Sequence, residues 1–84
     1  MGFLSILWDL DDEPHGNVQH IADHGIDRFE VEDVLNNPMG VTESHSSGYP
    51  IAFGQTRTGR TIAVVFELVD DDTAYPITAY EVEE

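Results

Sequence analysis

The sequence predicts an α+β fold, with two short helices on one face of an antiparallel sheet. The order is β-α-α-β-β-β-β, in a single domain spanning residues 1–84. Three observations carry this. Two helical segments with their own start and stop signals lie between Asn17 and Pro38. From Met39 onward the pattern has a period of two. Within that region Gly48–Leu68 holds two β-rich runs joined by Thr58-Gly59, which marks a hairpin.

Taken in order, Phe3–Trp8 is a short, mostly apolar strand ended by Asp9, and the acidic stretch to Gly16, with Pro14, is a loop. Asn17 is a good N-cap, and Val18, Ile21 and Ala22 share one stripe of the helix it opens. Gly25 supplies the residue just past its end. So short a helix must be held by packing. Asp27 and Glu30 then form the aspartate variant of a capping box, with Ile26 and Val31 as its hydrophobic staple. The second helix is expected to bury Val31, Val34 and Leu35 and to turn Glu30, Glu32 and Asp33 to water. Asn36-Asn37-Pro38 ends it, because a residue before proline is biased away from helix.

Met39–Glu43 is a weak strand and Ser44–Gly48 a polar loop. The hairpin strands are Ile51–Arg57 and Arg60–Leu68. A two-residue loop would set Arg57 opposite Arg60, Gln55 opposite Ile62, Phe53 opposite Val64 and Ile51 opposite Phe66. One face would then be apolar, and the other would carry Ala52, Gly54, Thr56, Thr61 and Ala63. Val69–Thr73, with three aspartates, turns into the last strand, Tyr75–Val82. Pro76 cannot donate to a ladder, so that strand lies at an edge or begins at a bulge. Short connections favour a meander. A free edge at Met39–Glu43 or Tyr75–Val82 would allow a homodimer.

Composition narrows the function. The 84 residues suit one small domain, and there is no cysteine for a disulfide or thiol chemistry. The apolar N-terminal run is too short to span a membrane and lacks the features of a signal peptide, so a cytoplasmic location is expected. Three arginines and no lysine stand against 17 acidic residues, for a net charge of −14. Such a chain repels polyanions unless its arginines focus a local positive spot. It is also what a protein working in high salt tends to show, since salt screens the self-repulsion.

His20 and His24 lie four apart on the first helix, a spacing that suits two metal ligands. No third ligand is evident, and no metal or cofactor is expected. There is no Gly-rich phosphate loop. Arg57 and Arg60 stand out, because like charges set opposite each other need an anion beside them. That anion is either an Asp or Glu of the chain itself, or a phosphate held by guanidinium forks. In the second case His24 is the best candidate for proton transfer. Tyr49, Tyr75 and Tyr80 could stack on bases, although tyrosine in strands is more often packing.

Trp8-Asp9, Asn17 before a helix ending His24-Gly25-Ile26, and an acidic second helix with Glu30 closing near Pro38 form a recognisable series. With Phe53-Gly54-Gln55-Thr56, Gly59-Arg60, Val64-Val65 and Ile77-Thr78-Ala79, the series resembles the BrnT toxin family over nearly the whole chain. The resemblance implies a RelE-like fold. For working members it implies a metal-independent endoribonuclease toxin, paired with an antitoxin protein that also represses their operon. His24 would move the proton, Arg57 and Arg60 would contact phosphate, and Tyr80 would stack on a base or donate a proton. Two departures matter. The family's basic residue before His-Gly is Asp23 here, and its closing Ser-Ala-Arg has Tyr80 in the last place. Losing two cations from so acidic a domain weakens RNA binding. The alternative is a catalytically silent BrnT-like domain that binds a protein partner through its sheet. Catalysis requires Arg57 and Arg60 free of Asp and Glu, and an open cleft near His24.

Overall fold

The computed structural model describes residues 5–10, 12–43 and 48–82. Strand β1 (Ser5–Ile6) is followed by helices α1 (Asn17–Asp23) and α2 (Arg28–Asn36), then strands β2 (Gly40–Glu43), β3 (Pro50–Gln55), β4 (Thr61–Asp70) and β5 (Thr73–Glu81). The spatial order is β1-β5-β4-β3-β2. The expected α+β class and element order hold. One pairing departs from the antiparallel expectation: β1 lies parallel to β5, which makes the sheet mixed. Phe3, and most of the loop expected between β2 and β3, lie outside the described residues.

The helices end where their local chemistry says they should. Gly25 takes a φ of 78°, and the Gly25 and Ile26 amides bond back to the Ala22 and Ile21 carbonyls at 2.9 and 3.3 Å. This is a Schellman closure, with its usual contact supplied by Ile21 and Ile26 in the core. The capping box is complete: the Glu30 amide donates to Asp27 Oδ1 at 2.9 Å, and the Asp27 amide to Glu30 Oε1 at 3.3 Å. The start of α1 is different from the expectation. Gly16 is the N-cap, and Asn17 is the first helical residue with its side chain buried. The Asp9 carboxylate, brought back by the loop, accepts from the Asn17 amide at 2.9 Å instead. Of the expected stripe on α1, Ile21 is buried and Ala22 is exposed.

The hairpin register corrects the two-residue loop. The Thr56 amide donates to the Arg60 carbonyl at 2.7 Å, and the Gly59 amide to the Thr56 carbonyl at 2.9 Å. The loop is therefore Arg57-Thr58-Gly59, with Gly59 at a φ of 89°, the three-residue type that ends on a left-handed glycine. Arg57 does not face Arg60. Pairing becomes Ile51 with Val65, Ala52 with Val64, Phe53 with Ala63 and Gly54 with Ile62. A slip of one residue turns every β3 side chain to the other face. Ala52, Gly54 and Thr56 thus lie under the helices with Ile62, Val64 and Phe66, while Ile51 and Phe53 point the other way. Gly54 lets the segment after α2 approach: a Cβ there would lie 3.3 Å from the Met39 backbone nitrogen and 3.5 Å from the Asn37 carbonyl oxygen.

Strand β5 keeps Ala74, Pro76 and Ala79 buried although the last two are three apart. A register shift makes this compatible with a strand: Val65 pairs with Thr78 and Phe66 with Pro76, which leaves Ile77 as the extra residue of a bulge. Pro76 is accommodated beside that bulge. Strand β1 pairs with β5 only at Thr73 and Ala74, and among the described residues no strand pairs with the outer side of β5 from Tyr75 onward. A single core joins Ile21 and Ile26 to Val31, Val34 and Leu35 of α2 and to Ile62, Val64 and Phe66 of β4, with Ile6 and Trp8 packed against it.

Candidate functional site

The site the sequence points to is the hairpin tip, and its surroundings follow from the three-residue loop. The loop projects Arg57 and Arg60 over α2, where they meet two carboxylates one helical turn apart. Arg57 Nη2 lies 2.6 Å from Asp33 Oδ1, and its Nε is 3.1 Å from both Asp33 oxygens. The Arg57 backbone amide also donates to Asp33 Oδ2, at 3.2 Å. Arg60 Nη1 donates to both Glu30 oxygens at 3.1 and 3.0 Å and to the Gly25 carbonyl at 3.1 Å, and Nη2 reaches Glu81 Oε1 at 3.4 Å. The carboxylates are the enclosed partners. The Asp33 and Glu30 side chains are 15% and 12% exposed, against 76% for Arg57 and 31% for Arg60.

Glu30, Glu32 and Asp33 were expected to face water. Each instead ties α2 to another element: Glu30 to Arg60, Asp33 to Arg57, and Glu32 Oε2 to Trp8 Nε1 at 3.0 Å. The Arg57 hydrogen bonds hold the Asp33 carboxyl below the usual carboxylate range, and Asp33 pushes the guanidinium up in return. The anion beside each arginine is thus a carboxylate of the chain itself.

The other candidates are dispersed. His24 is the exposed C-cap residue of α1, next to the Gly25 carbonyl that Arg60 holds. Tyr80 pairs with Ala63, on the sheet face opposite the buried Val64–Ala79 pair, and is 43% exposed. The sheet therefore separates Tyr80 from Arg60 and His24. Two open clefts flank the hairpin tip. One, of about 610 Å³, lies between Asp33, Asn36, Asn37, Met39 and Arg57. The other, of about 540 Å³, lies beside Thr58, Arg60 and Glu81. His24 lines neither.

A second polar cluster was not visible in the sequence. Asn17, 3% exposed, donates from Nδ2 to the Leu7 and Pro76 carbonyls at 3.1 and 2.9 Å and accepts from the Asp9 amide at 2.8 Å. Tyr75 donates to Asp9 Oδ2 at 2.7 Å. This bond, with the Asn17 amide, holds the Asp9 carboxyl below its ordinary range, and the same carboxylate pushes the Tyr75 phenol up to about 12. Nearby, His20 Nε2 lies 3.1 Å from Thr78 Oγ1, and its ring stands edge-on to His24 with centroids 5.2 Å apart. Among the described residues no three His, Asp or Glu side chains gather as a metal site would require.

Fold and site together define a small α+β domain whose hairpin arginines are bound to carboxylates of its own helix and last strand. The chain belongs to the family described as a domain of unknown function, DUF4258, whose model matches residues 17–81. That stretch runs from the first residue of α1 to the last of β5 and leaves β1 outside. No curated protein and no solved structure matches the chain. No described helix is long and apolar enough to cross a membrane.

Proposed function

We propose that the chain is a catalytically silent, cytoplasmic BrnT-like domain that binds a protein partner through its sheet. The observation that carries this reading is the engagement of both hairpin arginines by carboxylates of the chain itself. For Arg60 to hold a phosphate it would have to leave Glu30, Glu81 and the Gly25 carbonyl, and Glu30 would stay behind enclosed and unpaired. Breaking a partly enclosed, charge-assisted pair of this kind costs about 1–2 kcal/mol. A polyanion approaching a chain of charge −14 supplies little to offset that. With Tyr80 across the sheet from His24, the nuclease constellation that the resemblance implies lacks one shared cleft.

The sheet supports the binding half of the reading. Its face away from the helices carries Phe53 and Tyr80, 37% and 43% exposed, on either side of Ala63, with Ile51 and Val65 half-buried in the next row. Exposed aromatics beside aliphatic residues are what interface cores use. The test has two parts. The chain is expressed in growing cells while growth and total RNA are followed, and a photo-cross-linking residue is placed at Phe53, Tyr80 or Asp23 in the cells that make the protein. Unchanged growth and intact RNA, with one discrete protein adduct from the two sheet positions and none from Asp23, is the expected result. RNA cleavage that disappears in Arg60→Gln, or adducts that form equally from Asp23, would overturn it.

A further inference from the structure

Strand β2 is the last strand on its side of the sheet, and among the described residues nothing pairs with its outer edge. It is short and ends on Glu43, but the other guards against pairing are missing. Gly40, Val41, Thr42 and Glu43 include no proline and no lysine, and their register against β3 runs without a bulge. Helix α2 packs on β3 and β4, and Val41, on the helix side of β2, is 56% exposed. On the opposite side the Phe53 ring covers Gly40, where a Cβ would meet Cζ at 2.6 Å. Met39, at the start of the strand, is 69% exposed. Apolar side chains therefore stand on both sides of an open row of backbone donors and acceptors.

We infer that the outer edge of β2 takes up an extended, lysine- or arginine-rich segment of another protein as a sixth strand. The inference rests on the partner-binding reading above and names the edge and the chemistry. In strand addition the main chain supplies affinity and alternate side chains supply specificity. Here the alternate positions would meet Val41 and Met39 on one side and Phe53 on the other. Charge selects the occupant. A second copy would bring −14 against −14, whereas a basic segment is drawn in and meets Glu43, exposed at the strand's end. Arg57 and Arg60 are already bound to carboxylates, so neither opposes it.

The test uses the full chain, isotopically labelled, and an acetylated and amidated peptide that alternates lysine with valine. Two analogues accompany it, one with alternate backbone nitrogens methylated and one with glutamate in place of lysine. The expected result is saturable binding, with slowed amide exchange confined to Gly40–Glu43. Both analogues should bind at least about tenfold more weakly, a loss of about 1.4 kcal/mol or more. Val41→Lys and Glu43→Lys, both at exposed positions, should each weaken binding while the thermal midpoint stays within a few degrees. Val69→Lys, the same charge change as Val41→Lys at an exposed site far along β4, should not. Binding that maps to Phe53, Val65 and Tyr80 and ignores methylation would overturn the edge but leave the sheet-binding reading standing. No binding by any peptide at millimolar concentration would overturn the inference. So would a dimer of the chain itself, seen by sedimentation, with β2 protected in the absence of peptide.

Discussion

Asn17 shows how much one side chain can hold in a domain of this size. Its amide group joins the Leu7 and Pro76 carbonyls and accepts from the Asp9 amide, so it ties the segment after β1 to the bulged part of β5. Asn17→Ala removes all three bonds and leaves enclosed carbonyls without partners. It should cost about 2–4 kcal/mol, read as a lower urea midpoint at an unchanged slope. The neighbouring Asp9–Tyr75 bond sets two limbs of the stability profile. Asp9 is more acidic in the folded chain than in the unfolded one, so its contribution is present above the usual carboxylate range and is lost as pH falls through the folded value. Tyr75 is less acidic when folded, so its contribution is complete below the ordinary phenol value of about 10 and is lost as pH rises towards about 12. Thermal midpoints measured against pH should therefore fall at both ends, and Tyr75→Phe should flatten the alkaline limb and soften the acid one. An unchanged alkaline limb in that variant would contradict the assignment.

At the scale of elements, the hairpin tip and α2 form a clamp, with Glu30 and Asp33 holding Arg60 and Arg57. Arg60 is the more enclosed arginine and also holds the Gly25 carbonyl at the α1–α2 junction. Arg60→Gln should lower stability by about 1–2 kcal/mol, since it breaks charge-assisted bonds that are only partly solvated. Arg57→Gln should lower it less, because that side chain is largely in water. A cycle of Arg60→Gln with Glu30→Gln should be non-additive, as the two groups share a bond. The sequence made the ends of both helices legible, because Gly25, Asp27, Glu30 and Pro38 act within a few residues of themselves. It misled at the hairpin, since Thr58-Gly59 fits a two-residue loop and also the last two places of a three-residue one. The difference flips β3, and only the need for Ala52 and Gly54 beneath α2 decides it. The partners of the arginines were not legible: Asp33 and Glu30 lie 24 and 30 residues away, and on a helix read alone they look solvated. Asn17 likewise read as a cap, because its real partners are in β5 and in the segment after β1.

Over the whole molecule, charge is the dominant stress. Seventeen acidic residues against three arginines repel one another across a domain with principal extents of 31 × 28 × 26 Å. The Debye length shrinks from about 10 Å at about 0.1 M salt to about 3 Å at about 1 M, so sodium chloride should stabilise the fold even though it weakens the clamp's ion pairs. A rise of at least about 5 °C in the thermal midpoint over that range is expected, corresponding to about 1 kcal/mol in a domain of this length. A fall would mean that attractive pairs outweigh the repulsion.

The engagement of Arg57 and Arg60 is tested most directly by nuclear magnetic resonance of their guanidinium Nε–H groups while single-stranded RNA is added. Both signals should keep their positions, and the RNA should stay whole. Saturable shifts of both signals, with cleavage of the RNA, would show that the carboxylates yield to phosphate and would contradict the clamp.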